Sequence, residues 1–301
     1  SIALLRPAQQ TLTATAVAAK RRHRSFAWTY LGVNTGLGAG GLAAAALITA
    51  RPSYLNAIIL VNALSYALAA AAFAVIRPTA RAPASAQRGA ARSWRSYRQT
   101  LSAPGLKTTL GLHLVWYLGA MSGFTVGVPV YLLAVTTHTA LAGLLFGTNT
   151  ITVILLQVPA ASFVEGRQRA AMLQVCFALP AFAWCALGVV GLWPAGWVPT
   201  VTLLVAAIVI GTAECLYSPI VEPLIADSVH PEEIGRAYAA LTVSRQVGSV
   251  LGPILVSGVL AAINNIGWLV LGGGSLVAAA AAHRLRHRLP DAIARTPQTS
   301  S

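Results

Sequence analysis

Residues 32–41 read GVNTGLGAGG, and three of the glycines in this stretch have the G-x-G-x-x-G spacing of a dinucleotide-binding loop. That motif needs a strand before it, a helix N-terminus after it and an acidic residue about 20 positions further on. Here the first acidic residue of the chain is Glu165, and the glycines lie inside an uninterrupted apolar segment, 25–50. The stretch therefore predicts a membrane helix with a glycine-rich packing face.

The composition is that of an integral membrane protein. Charged residues make up 9% and hydrophobic residues 56% of the 301 residues, whereas soluble domains carry about 25% charged residues. Long apolar runs without period-two alternation favour helices over a β-barrel. We predict an all-α, polytopic helix bundle with eight complete spans, at 25–50, 54–76, 108–135, 140–163, 170–193, 198–227, 235–263 and 265–283.

The basic residues are distributed asymmetrically. If successive loops alternate between the two sides of the membrane, nearly all of the 21 Lys and Arg residues fall on one side. The positive-inside rule then predicts that these loops and the C-terminus are cytoplasmic, in the plasma membrane of a cell that the Arg- and Ala-rich composition indicates is bacterial. The cluster KRRHR at 20–24 is expected to bind anionic lipid rather than nucleic acid.

An internal repeat relates the two ends of the chain. At an offset of 212 residues the sequence matches itself without a gap. The identical pairs include Pro7 with Pro219, Arg24 with Arg236, Gly36 with Gly248 and Gly40 with Gly252. Near matches in the same frame are Gln10 with Glu222, Phe26 with Tyr238 and Asn34 with Gln246. The repeat predicts two parallel halves built from equivalent helices.

The repeat also predicts the domain organisation. The expected units are the remainder of a first half (1–76), a basic cytoplasmic linker (77–107), a second half of six helices (108–283) and a cytoplasmic tail (284–301). Extending the frame upstream places the start of the first half about a hundred residues before position 1. We therefore expect the sequence to lack about three and a half N-terminal helices.

Two parallel six-helix halves joined by a long basic linker resemble the major facilitator superfamily. Residues 36–45, GLGAGGLAAA, are similar to the signature G-x-x-x-G-P-x-x-G-G in helix 5 of that family's proton-coupled drug exporters. They depart from it at Gly41, which stands at the proline position, and at two alanines, which stand at the final glycines. The second-half counterpart, GSVLGP at 248–253, does have the proline.

The same family's loop signature, G-x-L-a-D-R-x-G-R, has a degenerate echo after the span 140–163. Ala161, Glu165 and Arg169 occupy the Gly, Asp and final Arg places. The resemblance implies a monomeric secondary transporter in which the two halves rock against each other to give a small-molecule substrate access to alternate sides of the bilayer.

Glu214 is the first candidate for proton coupling. It lies 13 residues before the end of the span 198–227, at a depth of about 20 Å. Burial at that depth disfavours the charged form of a carboxyl group, so Glu214 could bind and release a proton. Tyr217 and Ser218 share its helix face and are candidate substrate contacts. The alternative interpretation is a structural Glu that joins two helices.

Further polar residues are expected at membrane depth. Glu222, between two prolines, is a second proton-coupling candidate at a predicted bend. Arg245 and Arg6 are expected to face the central cavity or a carboxylate, in an ion pair that either persists or is broken by proton or substrate binding. Asn34 and its repeat-mate Gln246 are cavity candidates.

Three residues with helical spacing, His113, Trp116 and Tyr117, begin the span 108–135. They predict either an aromatic lining for an organic substrate or an aromatic belt at the membrane interface; their position near the cytoplasmic boundary favours the belt. Asn149 and Gln157 are weaker cavity candidates.

The predicted cytoplasmic end holds two further candidates. Asp227 and Arg236 bracket a turn, and they predict either a state-dependent latch or, more simply, a solvated loop with charged helix ends. The segment 92–101 in the linker is amphipathic and predicts a helix on the membrane surface.

The repeat singles out particular glycines of the opening stretch. Gly36 and Gly40, with their mates Gly248 and Gly252 and the adjacent Pro253, are predicted to form close helix-packing contacts. The remaining glycines of the stretch have no glycine counterparts, so their spacing is interpreted as coincidence.

No enzyme motif occurs in the sequence: HExxH, G-x-S-x-G and a Walker loop are all missing, and the six histidines are scattered. We therefore expect neither catalysis, nor a cofactor, nor a bound metal. The leading hypothesis is proton-coupled efflux of small organic compounds, with the lipid bilayer, protons and the substrate as partners. The alternatives are an uptake permease of the same fold and a non-transporting sensor or decayed fragment.

Overall fold

The chain folds as a bundle of long helices. A computed structural model describes residues 2–50, 55–75, 94–135, 140–192 and 196–298. Within these ranges the β-structure is limited to one isolated bridge between Gln168 and Arg295. The all-α prediction is confirmed.

The helices follow the apolar runs of the sequence because a bilayer offers no partner for backbone N–H and C=O groups. In chain order they are α1 (Ile2–Ala16), α2 (Arg22–Ala50), α3 (Leu55–Val75), α4 (Trp94–Leu101), α5 (Leu106–Val115), α6 (Val128–Val135), α7 (Ala140–Phe163), α8 (Arg169–Leu192), α9 (Val198–Asp227), α10 (Ile234–Ile263), α11 (Ile266–Leu285) and α12 (Asp291–Ala294).

Six of the eight predicted spans are helices with the length and hydropathy to cross a membrane: Leu106–Leu133, Leu141–Phe163, Arg169–Leu192, Val198–Asp227, Pro231–Ile263 and Ile266–Leu285. The other two predicted spans coincide with α2 and α3, whose side chains at 41–50, 55–58, 69 and 72–75 lie outside the described residues. Large apolar side chains such as Leu133, Ile254 and Val277 are exposed on the outer surface of the bundle. Lipid is the environment in which such a surface is stable.

Helix α9 is the centre of the bundle. Residues 213–221 are all buried, an unbroken stretch that includes Glu214 and Pro219. The helix packs against α2, α7 and α8. Its side chains therefore face protein on all sides in this stretch, and the polar groups among them depend on neighbouring helices for partners.

The span that begins with α5 is irregular. Between α5 and α6 the helix passes through two π-helical segments, Trp116–Met121 and Gly123–Gly127. The Ser122 hydroxyl donates to the Tyr117 carbonyl, 2.7 Å away, and so partners an acceptor that the widened helix displaces. These segments form the surface against which α10 packs.

The second-half glycine pair makes the predicted close packing. A Cβ at Gly248 would lie 2.7 Å from the Tyr117 Cβ and 2.9 Å from the Leu114 carbonyl oxygen. At Gly252 it would overlap the Ser122 side chain and lie 2.9 Å from the Tyr117 carbonyl oxygen. Only glycine allows α10 to approach the π-helical segments this closely.

The first-half pair, Gly36 and Gly40, makes no such close contact among the described residues. No heavy atom of the described residues lies within 4 Å of a Cβ built at Gly36 or Gly40. Gly38 is the glycine in close contact, with a Cβ position 2.8 Å from the Thr150 methyl group of α7. Packing at Gly36 and Gly40 stays a prediction, and the face of α2 that meets α7 is the one that carries Gly38.

Replacing Gly252 by Leu is expected to destabilise the bundle by about 1–3 kcal/mol, because a backbone carbonyl cannot move aside cheaply. The measurement is the thermal unfolding midpoint of the protein in detergent. Gly258→Leu on the same helix is the matched control, since a Cβ there meets open space. Equal midpoints for the two variants would contradict the packing account.

Candidate functional site

Glu214 lies on α9, 13 residues before the helix ends, and is 5% exposed. Its Oε2 accepts a hydrogen bond from the Tyr30 hydroxyl of α2 at 2.7 Å, and its Oε1 lies 3.4 Å from the Asn149 amide nitrogen of α7. Among the ion pairs of the described residues, none includes Glu214. The carboxyl is therefore held by neutral donors from two different helices.

Tyr217 does not share this site. Its hydroxyl lies 2.9 Å from the Nδ1 of His113, and its ring stacks on Trp116 with 4.2 Å between ring centroids. Phe177 of α8 packs edge-on against both the Tyr217 and Trp116 rings. The predicted substrate contact at Tyr217 is instead part of a packed aromatic cluster, which we define as His113, Trp116, Phe177 and Tyr217.

The burial of this aromatic cluster corrects the interpretation of the helix face that begins with His113. Trp116 is 2% exposed and His113 is 5% exposed, so these residues form neither a belt at the membrane interface nor an open lining. Tyr117, the third member of the face, packs its ring against His113 at a centroid distance of 5.0 Å. The belt interpretation was based on the position of these residues along the helix. That position gives the depth of a residue in the membrane but not the direction of its side chain.

Glu222 lies two turns beyond Glu214 on α9 and faces a different neighbour. Its Oε2 accepts a hydrogen bond of 2.7 Å from the side-chain amide of Gln10 on α1. The Tyr238 hydroxyl of α10 donates to the Glu222 backbone carbonyl at 2.8 Å. The segment between Pro219 and Pro223 is thus supported from both α1 and α10.

A cavity of about 50 Å³ adjoins Glu222, between α1, α2 and α9. Most of the residues that line it have a polar side chain; they are Arg6, Gln9, Gln10, Thr13, Phe26, Thr29, Tyr30, Val33, Ser218 and Glu222. The volume has room for a few water molecules but not for an organic compound, which typically needs a pocket of about 300 Å³ or more. Arg6 lines this cavity.

The other predicted cavity residues lie elsewhere. The guanidinium of Arg245 lies over the Tyr117 ring at 5.2 Å rather than beside a carboxylate. The Asn34 amide donates to the Tyr30 carbonyl one turn back on its own helix, and Gln246 is exposed. Gln157 is fully buried, and its amide atoms have no hydrogen-bond partner among the described residues. Arg245, Gln246 and Gln157 do not converge on Glu214 or Glu222, whereas Asn34 lies beside Tyr30, the partner of Glu214.

Two pairs of repeat-mates touch each other. Gln10 and Glu222, 212 positions apart, form the hydrogen bond described above. Phe26 and Tyr238, at the same separation, have ring centroids 6.2 Å apart. Equivalent residues meet in this way when two related units pack about a common axis and the residues lie close to it. Both pairs lie near the polar cavity.

The end of the bundle at which α9 ends and α2 and α8 begin, here called the basic end, has an ion-pair cluster. Asp227 Oδ1 accepts from Arg22 at 2.7 Å, and its Oδ2 accepts from Arg169 at 2.6 Å. Arg22 also donates to the Ala14 carbonyl at the end of α1. Arg169 is 1% exposed, so this carboxylate joins three helices in a largely buried setting.

Asp227 and Arg236 are not paired with each other in this structure. Arg236 instead donates to Glu233 at 3.3 Å and to the Thr100 hydroxyl at 3.1 Å. Thr100 in turn donates to Glu233, which ties α4 to the start of α10. The amphipathic segment 92–101 is helical from Trp94, and its last turn packs on protein. The linker residues 77–93 lie outside the described residues.

Glu165, in the loop between α7 and α8, lies against the first turn of α2. The Nε2 of His23 is 3.0 Å and the Nε of Arg24 is 2.7 Å from its Oε1. A carboxylate at a helix N-terminus also interacts favourably with the helix dipole. Glu165 and Arg169, singled out by the degenerate loop signature, therefore both make contacts that involve α2 or its partner Asp227.

The C-terminal residues pair with this loop. The Gly166 N–H donates to the Thr296 carbonyl at 2.9 Å, and the Thr296 N–H donates to the Arg167 carbonyl at 3.0 Å. Gly166 has a φ of +70°, a conformation that favours glycine, and the Gln298 side chain packs against it. The predicted tail is thus ordered against the loop that holds Glu165.

Sequence reasoning missed Tyr30 as a partner of Glu214. Tyrosines are common near membrane boundaries, and nothing in the spacing of α2 set Tyr30 apart from its neighbours. Gln10 was visible only as the repeat-mate of Glu222, a relation that gave no distance. Asn149, which the sequence indicates only as a weaker cavity candidate, has its amide nitrogen 3.4 Å from Glu214 Oε1.

Asp227→Asn is expected to lower the stability of the protein by about 3–5 kcal/mol, because it leaves the buried Arg169 without its carboxylate. The thermal unfolding midpoint in detergent measures the change. Asp291→Asn, at an exposed position on α12, should leave the midpoint unaltered. A similar midpoint for both variants would show that the cluster at the basic end contributes little.

Thr296→Pro removes the N–H that donates to Arg167, and limited trypsin digestion should then cleave after the exposed Arg167 faster than in the unmodified protein. A hydrogen bond worth about 1 kcal/mol corresponds to about a fivefold change in rate if opening precedes cleavage. Thr296→Ala keeps the N–H and should be cleaved at the original rate. Identical rates in all three proteins would exclude a role for the tail in ordering this loop.

Comparison with known proteins bears on the second half of the chain. Residues 133–300, more than half of the sequence, match the family model described as Major Facilitator Superfamily. A comparison with curated proteins gives no match. Glu214 and Glu222 lie within the matched range, and Tyr30 and Gln10 lie outside it. Among the described residues, no three His, Cys, Asp or Glu side chains are grouped as metal ligands would be.

Proposed function

The chain belongs to the major facilitator superfamily, a family of membrane transporters, and we propose that it couples the export of small organic compounds to the inward flow of protons. Secondary transport is the function that the family supports. Export, the proton as coupling ion and the residues involved are our proposal.

The proposal rests on one observation: Glu214 is buried and its hydrogen-bond donors are neutral groups. It is buried about 20 Å from the end of α9, in an all-helical segment where neighbouring groups are neutral. A carboxyl without a cationic partner in such a place can become neutral by binding a proton and charged by releasing it. Glu214 is thus suited to take a proton from one side of the membrane and deliver it to the other.

Glu222 supports the same chemistry from the polar cavity. Arg6 lines that cavity together with Glu222, so a positive charge is at hand when the carboxyl is ionised. Water in the cavity would allow protons to reach Glu222 directly, and Glu222 is the second proton-coupling residue in this proposal.

Alternating access would come from movement of the residues before the linker, 1–76, against those after it, 108–283. The contacts at the basic end are suited to open and close in such a movement, because Arg22, His23 and Arg24 lie before the linker and their carboxylate partners lie after it. The small volume of the polar cavity fits a state in which the substrate path is closed. The two buried carboxyls favour a cationic or amphiphilic substrate.

The location follows from the charge pattern. In this proposal the protein spans the plasma membrane as a monomer with the basic end and the C-terminal tail in the cytoplasm. The exposed basic residues at that end, which include Lys20 and Arg21, would lie against anionic lipid of the inner leaflet.

In cells or vesicles that contain the active transporter, Glu214→Gln should abolish gradient-driven efflux of a fluorescent cation such as ethidium, because an amide cannot exchange the proton. Efflux is followed by the loss of fluorescence after a proton gradient is imposed. Glu232→Gln, at an exposed position in the turn before α10, is the control and should transport normally. Undiminished efflux by the Glu214 variant would remove this residue from the coupling mechanism.

The same assay separates the alternatives. Accumulation of the probe in cells with an intact gradient would favour an uptake permease. Flux in neither direction would favour a sensor or a decayed gene.

A further inference from the structure

Glu214 has no place in the wall of the polar cavity. The cavity is lined by Tyr30, Ser218 and Glu222 but not by Glu214, which is 5% exposed and enclosed between α2, α7 and α9. A proton that enters from the cavity must therefore pass through a group that contacts both the cavity and the Glu214 carboxyl.

Tyr30 is such a group. It lines the cavity, and its hydroxyl donates to Glu214 Oε2 at 2.7 Å. The Asn34 amide donates to the Tyr30 backbone carbonyl, and the ring packs against the main apolar core. Tyr30 thus contacts both the cavity and the Glu214 carboxyl.

Ser218 is the competing route. It lies four residues after Glu214 on the same face of α9 and also lines the cavity. However, no hydrogen bond joins the Ser218 hydroxyl to Glu214 in the structure, whereas the Tyr30 bond is short. The titratable or charged groups nearest to the Tyr30–Glu214 pair are Arg6, Tyr117, Cys215 and Glu222.

We propose that Tyr30 is the positioning residue of the coupling site: its hydroxyl orients the Glu214 carboxyl and relays protons between that carboxyl and the cavity. This inference rests on the proposed role of Glu214. In this proposal Tyr30, which lies before the linker, controls the access of protons to Glu214, which lies after it.

The relay conserves protons. When the Glu214 carboxylate accepts a proton, the Tyr30 O–H bond breaks and an O–H bond forms on the carboxyl oxygen. A hydronium ion in the cavity supplies a proton to the Tyr30 oxygen and becomes a water molecule, so the phenol is neutral before and after the step. One proton moves from the cavity to Glu214, and the reverse sequence returns it.

The direct test is infrared spectroscopy of the protonated carboxyl groups after a rapid change from H₂O to D₂O buffer. The C=O stretching band of Glu214 is identified by its loss in Glu214→Gln, and that of Glu222 by its loss in Glu222→Gln. In Tyr30→Phe the Glu214 band should lie at higher frequency, because its hydrogen-bond donor is gone. Its deuterium shift should be slower by about a hundredfold. The Glu222 band should exchange as before.

Three further proteins control for structure. Tyr66→Phe removes a hydroxyl from an exposed residue of α3 and should leave both bands unchanged. Ser218→Ala should leave the exchange rate of Glu214 unchanged. Replacing Tyr30 with 3,5-difluorotyrosine keeps the ring shape but makes the phenol more acidic, so it should change the Glu214 exchange rate even if Tyr30→Phe fails to fold.

The outcomes separate the relay from the proposed function. An unchanged Glu214 exchange rate in Tyr30→Phe, or a rate that falls in Ser218→Ala instead, would overturn the relay while leaving proton coupling by Glu214 in place. Slow exchange in Tyr30→Phe combined with normal efflux by Glu214→Gln would support the relay and refute the coupling role of Glu214.

Discussion

The structure depends on the need of three α9 carboxylates for hydrogen-bond donors from α1 and α2. Glu214 accepts from Tyr30, Glu222 from Gln10 and Asp227 from Arg22. These groups lie on a helix whose stretch 213–221 is buried on all sides, and an unpartnered polar group in a bilayer costs several kcal/mol. Helix α9 is therefore attached to the N-terminal helices at three depths by its carboxylates.

The type of partner changes with depth. At the basic end, where water is near, Asp227 is held by two arginines. Deeper in the bundle, Glu222 and Glu214 are held by an amide and a phenol. A pair of opposite charges would be costly to separate inside the bundle, whereas a hydrogen bond from a neutral group weakens as soon as the carboxylate binds a proton. The deep contacts are thus sensitive to protonation, whereas in our proposal the Arg22–Asp227 pair opens only when the residues before the linker move against those after it.

The sequence predicted the ends of the helices better than it predicted which faces of the helices pack together. The apolar runs located α7 to α11 within a few residues, because a membrane span must be long and uncharged. The repeat predicted that Gly248 and Gly252 pack closely, whereas their mates on α2 meet no neighbour among the described residues. A repeat preserves the position of a residue in its helix, whereas a contact also needs the neighbouring helix.

The partners of the polar residues were harder to predict for a related reason. Depth identified Glu214 and Glu222, yet Tyr217, three residues from Glu214, packs into the aromatic cluster because its side chain points to α5 and α8. The contact of Asp227 with Arg22, and not Arg236, likewise depends on a helix that is distant in sequence. Long-range side-chain direction is not encoded in the local periodicity that sequence analysis uses.

The central claim is that protonation of the α9 carboxyls changes how α1 and α2 attach to α9. Pulsed electron paramagnetic resonance tests it through the distance between spin labels at the exposed positions 20, before α2, and 230, after α9. The account predicts that the distance distribution shifts between alkaline and acidic buffer and that Glu214→Gln/Glu222→Gln holds the acidic distribution at both. A pH-dependent shift that persists in the double variant, or no shift in the unmodified protein, would contradict it.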